Sequence, residues 1–148
     1  MPDKNKSYII LYTDGSWKFK EKIGGYAAYI PATNTVICGN KEDTTNNQME
    51  LQAVISGLRN IKENSHVLVY TDSQYVTNAF NKNWINTWER NNWKRGNEDV
   101  TNSSLWKELK EEVNKHKEVK FEWVKGHAST YGNNLCDAFA TAVTKCDS

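Results

Sequence analysis

Two aspartates stand at the end of a phrase that the chain uses twice, Leu11-Tyr12-Thr13-Asp14 and Val69-Tyr70-Thr71-Asp72. Each phrase closes a short apolar run and precedes turn residues, Gly15-Ser16 in the first case and Ser73 in the second. Apolar runs this short, rich in Ile, Val and Tyr, read as buried strands. Two strands are therefore expected to end in a carboxylate. If they are parallel neighbours, their backbones lie about 4.8 Å apart. Asp14 and Asp72 would then share one small volume at the C-terminal edge of the sheet, where open α/β sheets bind ligands. Ionised carboxylates that close repel unless a cation lies between them. A pair of divalent ions about 3.5–4 Å apart suits that geometry.

Two further acids are candidates for the same volume. Glu50 falls on a helical stripe with Val54, Gly57, Leu58 and Ile61. An acid on an apolar stripe is at least half-buried and needs a partner, for which a metal is suitable. The plainer alternative is an acid favoured near a helix start by the macrodipole. Asp137 adjoins the apolar set Cys136, Phe139, Ala140 and Val143, with Asn133 one turn earlier. Taken alone, it also reads as an ordinary exposed helix acid.

The elements that must position these groups follow from pattern. Strands are expected at Tyr8–Asp14, Tyr26–Pro31 and Thr35–Gly39, joined by short connections as an antiparallel meander. A helix over Thr45–Ile61 leads to a strand at His66–Asp72, which can therefore lie parallel to the first. Helices follow at Ser73–Phe80, capped by its serine, and at Lys82–Asn91. After a polar loop, Ser103 or Ser104 caps a helix running to His116. Val119–Val124 is the fifth strand, and a last helix spans Asn133–Thr144. This order predicts an α/β class with a mixed five-stranded sheet, three strands antiparallel and two parallel, flanked by helices.

The 148 residues suffice for one domain, 1–148, with a real core. No apolar run approaches the ~20 residues of a membrane span, and the first residues carry no signal-peptide core. Three cysteines, Cys38, Cys136 and Cys146, lack zinc-like spacing. The odd count argues for reduced thiols and a cytoplasmic location. No oligomerisation signal stands out, so a monomer is expected. The net charge of +1 says nothing about nucleic acid by itself. Locally, Lys82, Arg90, Lys94 and Arg95 face the single acid Glu89, which makes either a basic patch or a solvated helix face.

Set in order, these segments resemble type 1 ribonuclease H along nearly the whole chain. The matching motifs are Thr13-Asp14-Gly15-Ser16, Gly24-Gly25-Tyr26, the run Thr44 to Leu51, the run Thr71 to Val76, Trp123-Val124-Lys125-Gly126-His127-Ala128, and Asn133 with Cys136-Asp137. The resemblance implies the ribonuclease H-like fold and an endonuclease that hydrolyses the RNA strand of an RNA–DNA hybrid duplex, leaving 5′-phosphate and 3′-hydroxyl ends. It implies that Asp14, Glu50, Asp72 and Asp137 hold two Mg2+ ions, for which Mn2+ can substitute. Asp14 would bridge both ions, Asp137 would serve the ion that activates water, and Glu50 and Asp72 the ion at the leaving group. His127 matches the family's mobile-loop histidine, suited to moving protons near neutral pH or helping product leave.

The resemblance also assigns the substrate contacts. Asn46, Asn47 and Gln74 match the minor-groove readers of the RNA 2′-hydroxyl, which is both donor and acceptor. For Asn46-Asn47 the alternative is a helix cap. Gly15 and Ser16 offer backbone contacts to RNA, Thr45 matches a residue on a DNA-strand phosphate, and Asn133 belongs to the same site. The segment 84–102 matches a basic protrusion that grips the duplex. Trp84 and Trp88 are expected to pack the helix onto the body. Trp93 is the better candidate for a DNA-strand contact, with Lys94 and Arg95 supplying phosphate affinity without sequence reading. Departures from the family pattern are Lys20, where an asparagine is expected, Cys136, where alanine is common, and the modest charge of the protrusion. A non-catalytic hybrid-binding module on this fold would be expected to lack one of the four acids, and none is missing. Other nucleases of the wider superfamily would not combine the His127 loop with Asn-Asn-Gln-Met-Glu.

Overall fold

The computed structural model describes residues 7–18 and 23–125. Lys20, His127, Asn133, Cys136, Asp137, Cys146 and the expected last helix lie outside the described residues.

Strands β1 (Ile9–Lys18), β2 (Ile23–Ile30) and β3 (Thr35–Glu42) form an antiparallel meander, with a 3-10 turn at Pro31–Thr33 between the last two. Helix α1 (Asn46–Arg59) leads to β4 (His66–Thr71), then to α2 (Gln74–Asn81) and α3 (Trp84–Arg90). A two-stranded hairpin, β5 (Lys94–Arg95) with β6 (Glu98–Asp99), precedes α4 (Ser103–Asn114) and β7 (Glu118–Trp123). The main sheet has the order β3-β2-β1-β4-β7. β4 runs parallel to β1 and to β7, so the mixed five-stranded sheet expected from the sequence is present.

Two expectations need correction. Asp14 does not end its strand. β1 continues to Lys18, because Gly15, Ser16 and Trp17 keep pairing with Tyr26, Gly25 and Gly24 of β2. What ends beside Asp14 is the parallel ladder, whose last rung is Thr13↔Thr71. Asp14 and Asp72 are thus both the next residue after that rung, and the expected juxtaposition arises by a different route. The polar loop before α4 is also not structureless. Asn92, Trp93 and Gly96 adopt positive φ and fold it into the β5–β6 hairpin.

The core lies between the sheet and the helices. Leu51, Val54, Ile55 and Leu58 of α1 are at most 1 % exposed and pack with Leu11, Val67 and Val69 of the sheet. Each such side chain contributes about 1.5–3 kcal/mol on burial. The near approach of α1 to β1 depends on Gly57, where a Cβ would meet the Leu11 methyls at 2.6 and 2.8 Å. Trp106 of α4 is buried against Tyr75 and Trp88, with ring centroids 5.1 and 5.4 Å away. At the C-terminal end of α1, Arg59 and Lys115 each place a nitrogen 3.1 Å from buried Glu112. His116, expected as a plain helix-end residue, is buried, with Nε2 3.4 Å from the Leu58 carbonyl. Among the described residues no helix is long and apolar enough to cross a membrane.

Candidate active site

Three of the predicted acids come from three elements and meet. Asp14 is supplied by β1, Glu50 by the start of the second turn of α1 and Asp72 by the β4–α2 junction. One carboxylate oxygen from each lies within 4.8 Å of the others. Asp14 and Glu50 are 4 and 3 % exposed, while Asp72 is half-buried. Glu50 is therefore not a surface acid favoured only by a helix start.

Gly15 makes this convergence possible. A Cβ there would meet the Glu50 nitrogen at 2.8 Å and the Met49 carbonyl carbon at 2.9 Å. Only a residue without a side chain lets β1 run against the start of α1. The Gly15 N–H then donates to Asp14 Oδ1 and to Glu50 Oε1, both at 3.0 Å. The buried Thr71 hydroxyl donates to Glu50 Oε2 at 3.5 Å and accepts from the Ser73 N–H at 3.1 Å. Ser73 in turn caps α2, its hydroxyl accepting from Val76 N–H. Strand end, helix cap and carboxylates thus form one connected unit.

Two unit charges 4.8 Å apart repel by about 3 kcal/mol at an effective dielectric of about 20. Neutral donors such as Gly15 N–H and Thr71 Oγ offset part of that for three like charges, and a cation offsets it directly. The donor set is hard carboxylate oxygen throughout, with no thiolate or imidazole among the described members. It fits Mg2+ or Mn2+ and does not fit a soft metal.

The carboxylates line a cleft of about 370 Å3 together with Gly15, Asn46, Asn47, Ser73, Gln74 and Tyr75. The three predicted amide readers are therefore at the site, and all three are exposed. The capping alternative for Asn46-Asn47 is settled locally. Thr45 is the N-cap, its hydroxyl accepting from Gln48 N–H at 3.2 Å while Gln48 Oε1 accepts from Thr45 N–H at 3.3 Å. That capping box satisfies the helix start and leaves both asparagine side chains to the cleft. Ser16 is half-buried in β1, one residue beyond Gly15.

The protrusion differs from expectation. Trp88 packs into the body, but Trp84 is 42 % exposed and lies on Trp88 with Lys82 over its ring. Trp93 is half-buried, 6.3 Å from the Trp88 ring, and its N–H donates to the Trp88 carbonyl. Lys94 and Arg95 are exposed on β5, with Lys94 Nζ 2.6 Å from Asp99 Oδ1. Lys94 holds the Asp99 carboxyl below its ordinary range, first by this hydrogen bond and then by charge. Sequence reading did not single out Gln48, Tyr75 or Asn102, whose side chains join these surfaces. Their signal is a set of contacts between residues far apart in the chain.

A mixed sheet whose central parallel strands bring acidic residues together beside a helix start defines a ribonuclease H-like fold with a nuclease-type carboxylate site. The ribonuclease H family model matches residues 6–145. The chain is 46 % identical over 140 residues to a ribonuclease H of Caldicellulosiruptor saccharolyticus, covering 93 % of this chain and 96 % of that one. It is 44 % identical over 144 residues to one from Thermoanaerobacter sp. strain X514, with coverage of 95 and 92 %. It is also similar to the crystal structure of LC9-RNase H1, described as a type 1 RNase H with the type 2 active-site motif. The TM-score is 0.79 at 25 % identity, covering 99 % of this chain and 76 % of that one. The chain belongs to the ribonuclease H family, and the resemblance read from its motifs holds. It is an enzyme of the hydrolase class, a nuclease, and the family generally uses divalent metals.

Proposed function

We propose that the enzyme cuts the RNA strand of RNA–DNA hybrids endonucleolytically, leaving 5′-phosphate and 3′-hydroxyl ends. The convergence of Asp14, Glu50 and Asp72 in a cleft edged by Asn46, Asn47 and Gln74 carries this reading. These three carboxylates, with Asp137, would hold two Mg2+ ions, and Mn2+ can take their place. When bound there, such a pair would supply Lewis-acid chemistry, lowering the pKa of a water and offsetting negative charge on the phosphate and the leaving oxygen.

The chain's own groups do the rest. Gly15 N–H fixes the Asp14 and Glu50 carboxylates relative to each other. The amides of Asn46, Asn47 and Gln74 each offer a donor and an acceptor, which is what a 2′-hydroxyl requires. Gly15 and Ser16 line the path of the RNA, joined by Asn133. The Thr45 hydroxyl accepts from Gln48 N–H and keeps its own proton to give to a DNA phosphate. Lys94 and Arg95 neutralise phosphates, and the half-buried Trp93 next to them in sequence contacts the DNA strand. His127 moves protons or helps product leave. The enzyme works as a single-domain monomer, and the exposed free Cys38 accords with a reducing, cytoplasmic setting.

The test uses labelled hybrid, double-stranded RNA and single-stranded RNA, each with Mg2+ and with EDTA. Internal cuts in the RNA of the hybrid alone, absent with EDTA, are expected. Equal cutting of double-stranded RNA, or cutting that persists in EDTA, would refute the reading.

A further inference from the structure

A chain of side-chain hydrogen bonds joins the start of α1 to the base of the protrusion. Gln48 Oε1 accepts from Thr44 Oγ1 at 2.9 Å, and Gln48 Nε2 donates to Asn102 Oδ1 at 3.0 Å. Asn102 Nδ2 donates to the Tyr75 hydroxyl at 3.1 Å, and Trp106 Nε1 donates to the same hydroxyl at 3.1 Å. The links span sequence separations of 54, 27 and 31 residues.

Asn102 is unusual in two ways. It occupies the N-cap position of α4 with φ 61, in the left-handed region, and its side chain makes no capping bond. An asparagine at a helix start ordinarily gives its oxygen to the helix. Here that oxygen goes to α1 and the amide to α2, in a backbone conformation that non-glycine residues adopt at a cost. Tyr75, at the centre, is a wall of two spaces. One is the carboxylate cleft, and the other is an aromatic pocket of about 470 Å3 that includes Trp84, Trp88 and Arg95.

We propose that Gln48, Asn102 and Tyr75 form a positioning strut. It fixes the separation between the Thr45–Asn47 turn and the protrusion, so that both engage one duplex in register. The inference rests on the reading of the protein as a hybrid-cutting enzyme. None of the three needs to touch the reacting atoms. The strut acts through the residues at its two ends.

The test separates positioning from mere stability. Steady-state kinetics are measured on a long hybrid that reaches the protrusion and a short one confined to the cleft. Asn102→Gly suits the positive φ and removes both side-chain links, while Tyr75→Phe removes one hydroxyl and leaves the capping box intact. Asn102→Gly is expected to raise KM for the long hybrid by about fivefold, with kcat within about twofold and the short hybrid unaffected, while Tyr75→Phe, whose ring also lines the cleft, is expected to raise KM more for the long hybrid than for the short one. Combining either with Lys94→Ala and Arg95→Ala should give less than the product of the separate effects, since a misplaced protrusion has little binding left to lose. Equal KM changes on both hybrids, or full additivity, would overturn the strut. Thermal melts taken alongside show which variants fold, and Tyr75→Phe carries the test if Asn102→Gly melts early. A wild-type protein that fails to cut either hybrid would instead overturn the functional reading itself.

Discussion

The N–H of Gly15 donates to the Glu50 carboxylate at 3.0 Å, and a Cβ on Gly15 would lie 2.8 Å from the Glu50 nitrogen. One residue therefore sets both the depth at which α1 docks on β1 and the orientation of one acid of the carboxylate cluster. Gly15→Ala must push α1 away by several tenths of an ångström. A loss of about 1–3 kcal/mol in stability is expected from the overpacking. Activity should fall further than that loss explains, because the two carboxylates move apart. Thermal melts and kcat/KM on one preparation check this, and unchanged activity would show that the spacing is not critical.

Neutralising the cluster should separate function from folding. Asp14→Asn and Asp72→Asn each remove one of three like charges that lie within 4.8 Å. Their metal-free forms should melt no lower than the wild type, since repulsion is relieved. Their kcat/KM should drop on the order of 10^3-fold or more. Substantial cutting by either variant would refute the assignment of these acids.

Lys94 is held by Asp99, so a phosphate must compete for it. At neutral pH Asp99 is ionised, because its carboxyl titrates below the ordinary range, and the pair persists until acid protonates it. Asp99→Asn mimics the protonated state at neutral pH and frees the lysine. Hybrid binding should tighten a few-fold, about the effect of one added phosphate contact, with a steeper salt dependence. Binding titrations at two salt concentrations check this; an unchanged slope would place Lys94 away from the duplex.

Arg59 provides a control far from the chemistry. Its guanidinium is raised above its ordinary value, chiefly by the hydrogen bond to Glu108, and it also neutralises buried Glu112. Arg59→Ala leaves Glu112 with Lys115 as its remaining ion-pair partner among the described residues. A loss of about 1–3 kcal/mol in stability is expected, with KM and kcat unchanged below the melting range. Denaturant titration with parallel kinetics would show otherwise if α1 transmits the change to Glu50.

Among the described residues, the strands of the main sheet, the helices and their order were legible because each carries its own period and end signals, as with Ser73 capping α2 or the apolar run before Thr71. Asp14 and Asp72 were legible as neighbours because parallel pairing follows from the intervening helix. The continuation of β1 through Gly15 and Ser16 was not. Those residues read locally as a turn, and only pairing with Tyr26 and Gly25 makes them strand. The β5–β6 hairpin hid for a similar reason, since positive φ at Asn92 and Trp93 has no strong local signature. The Gln48–Asn102–Tyr75 chain depends on partners dozens of residues apart, which no spacing rule reveals.

Asp14, Glu50 and Asp72 are expected to bind divalent cations together. Anomalous diffraction from crystals soaked in Mn2+ tests it most directly. Metal density among the oxygens of Asp14, Glu50 and Asp72, lost in Asp14→Asn, is the expected result. Well-ordered carboxylates with no metal between them at saturating Mn2+ would contradict it.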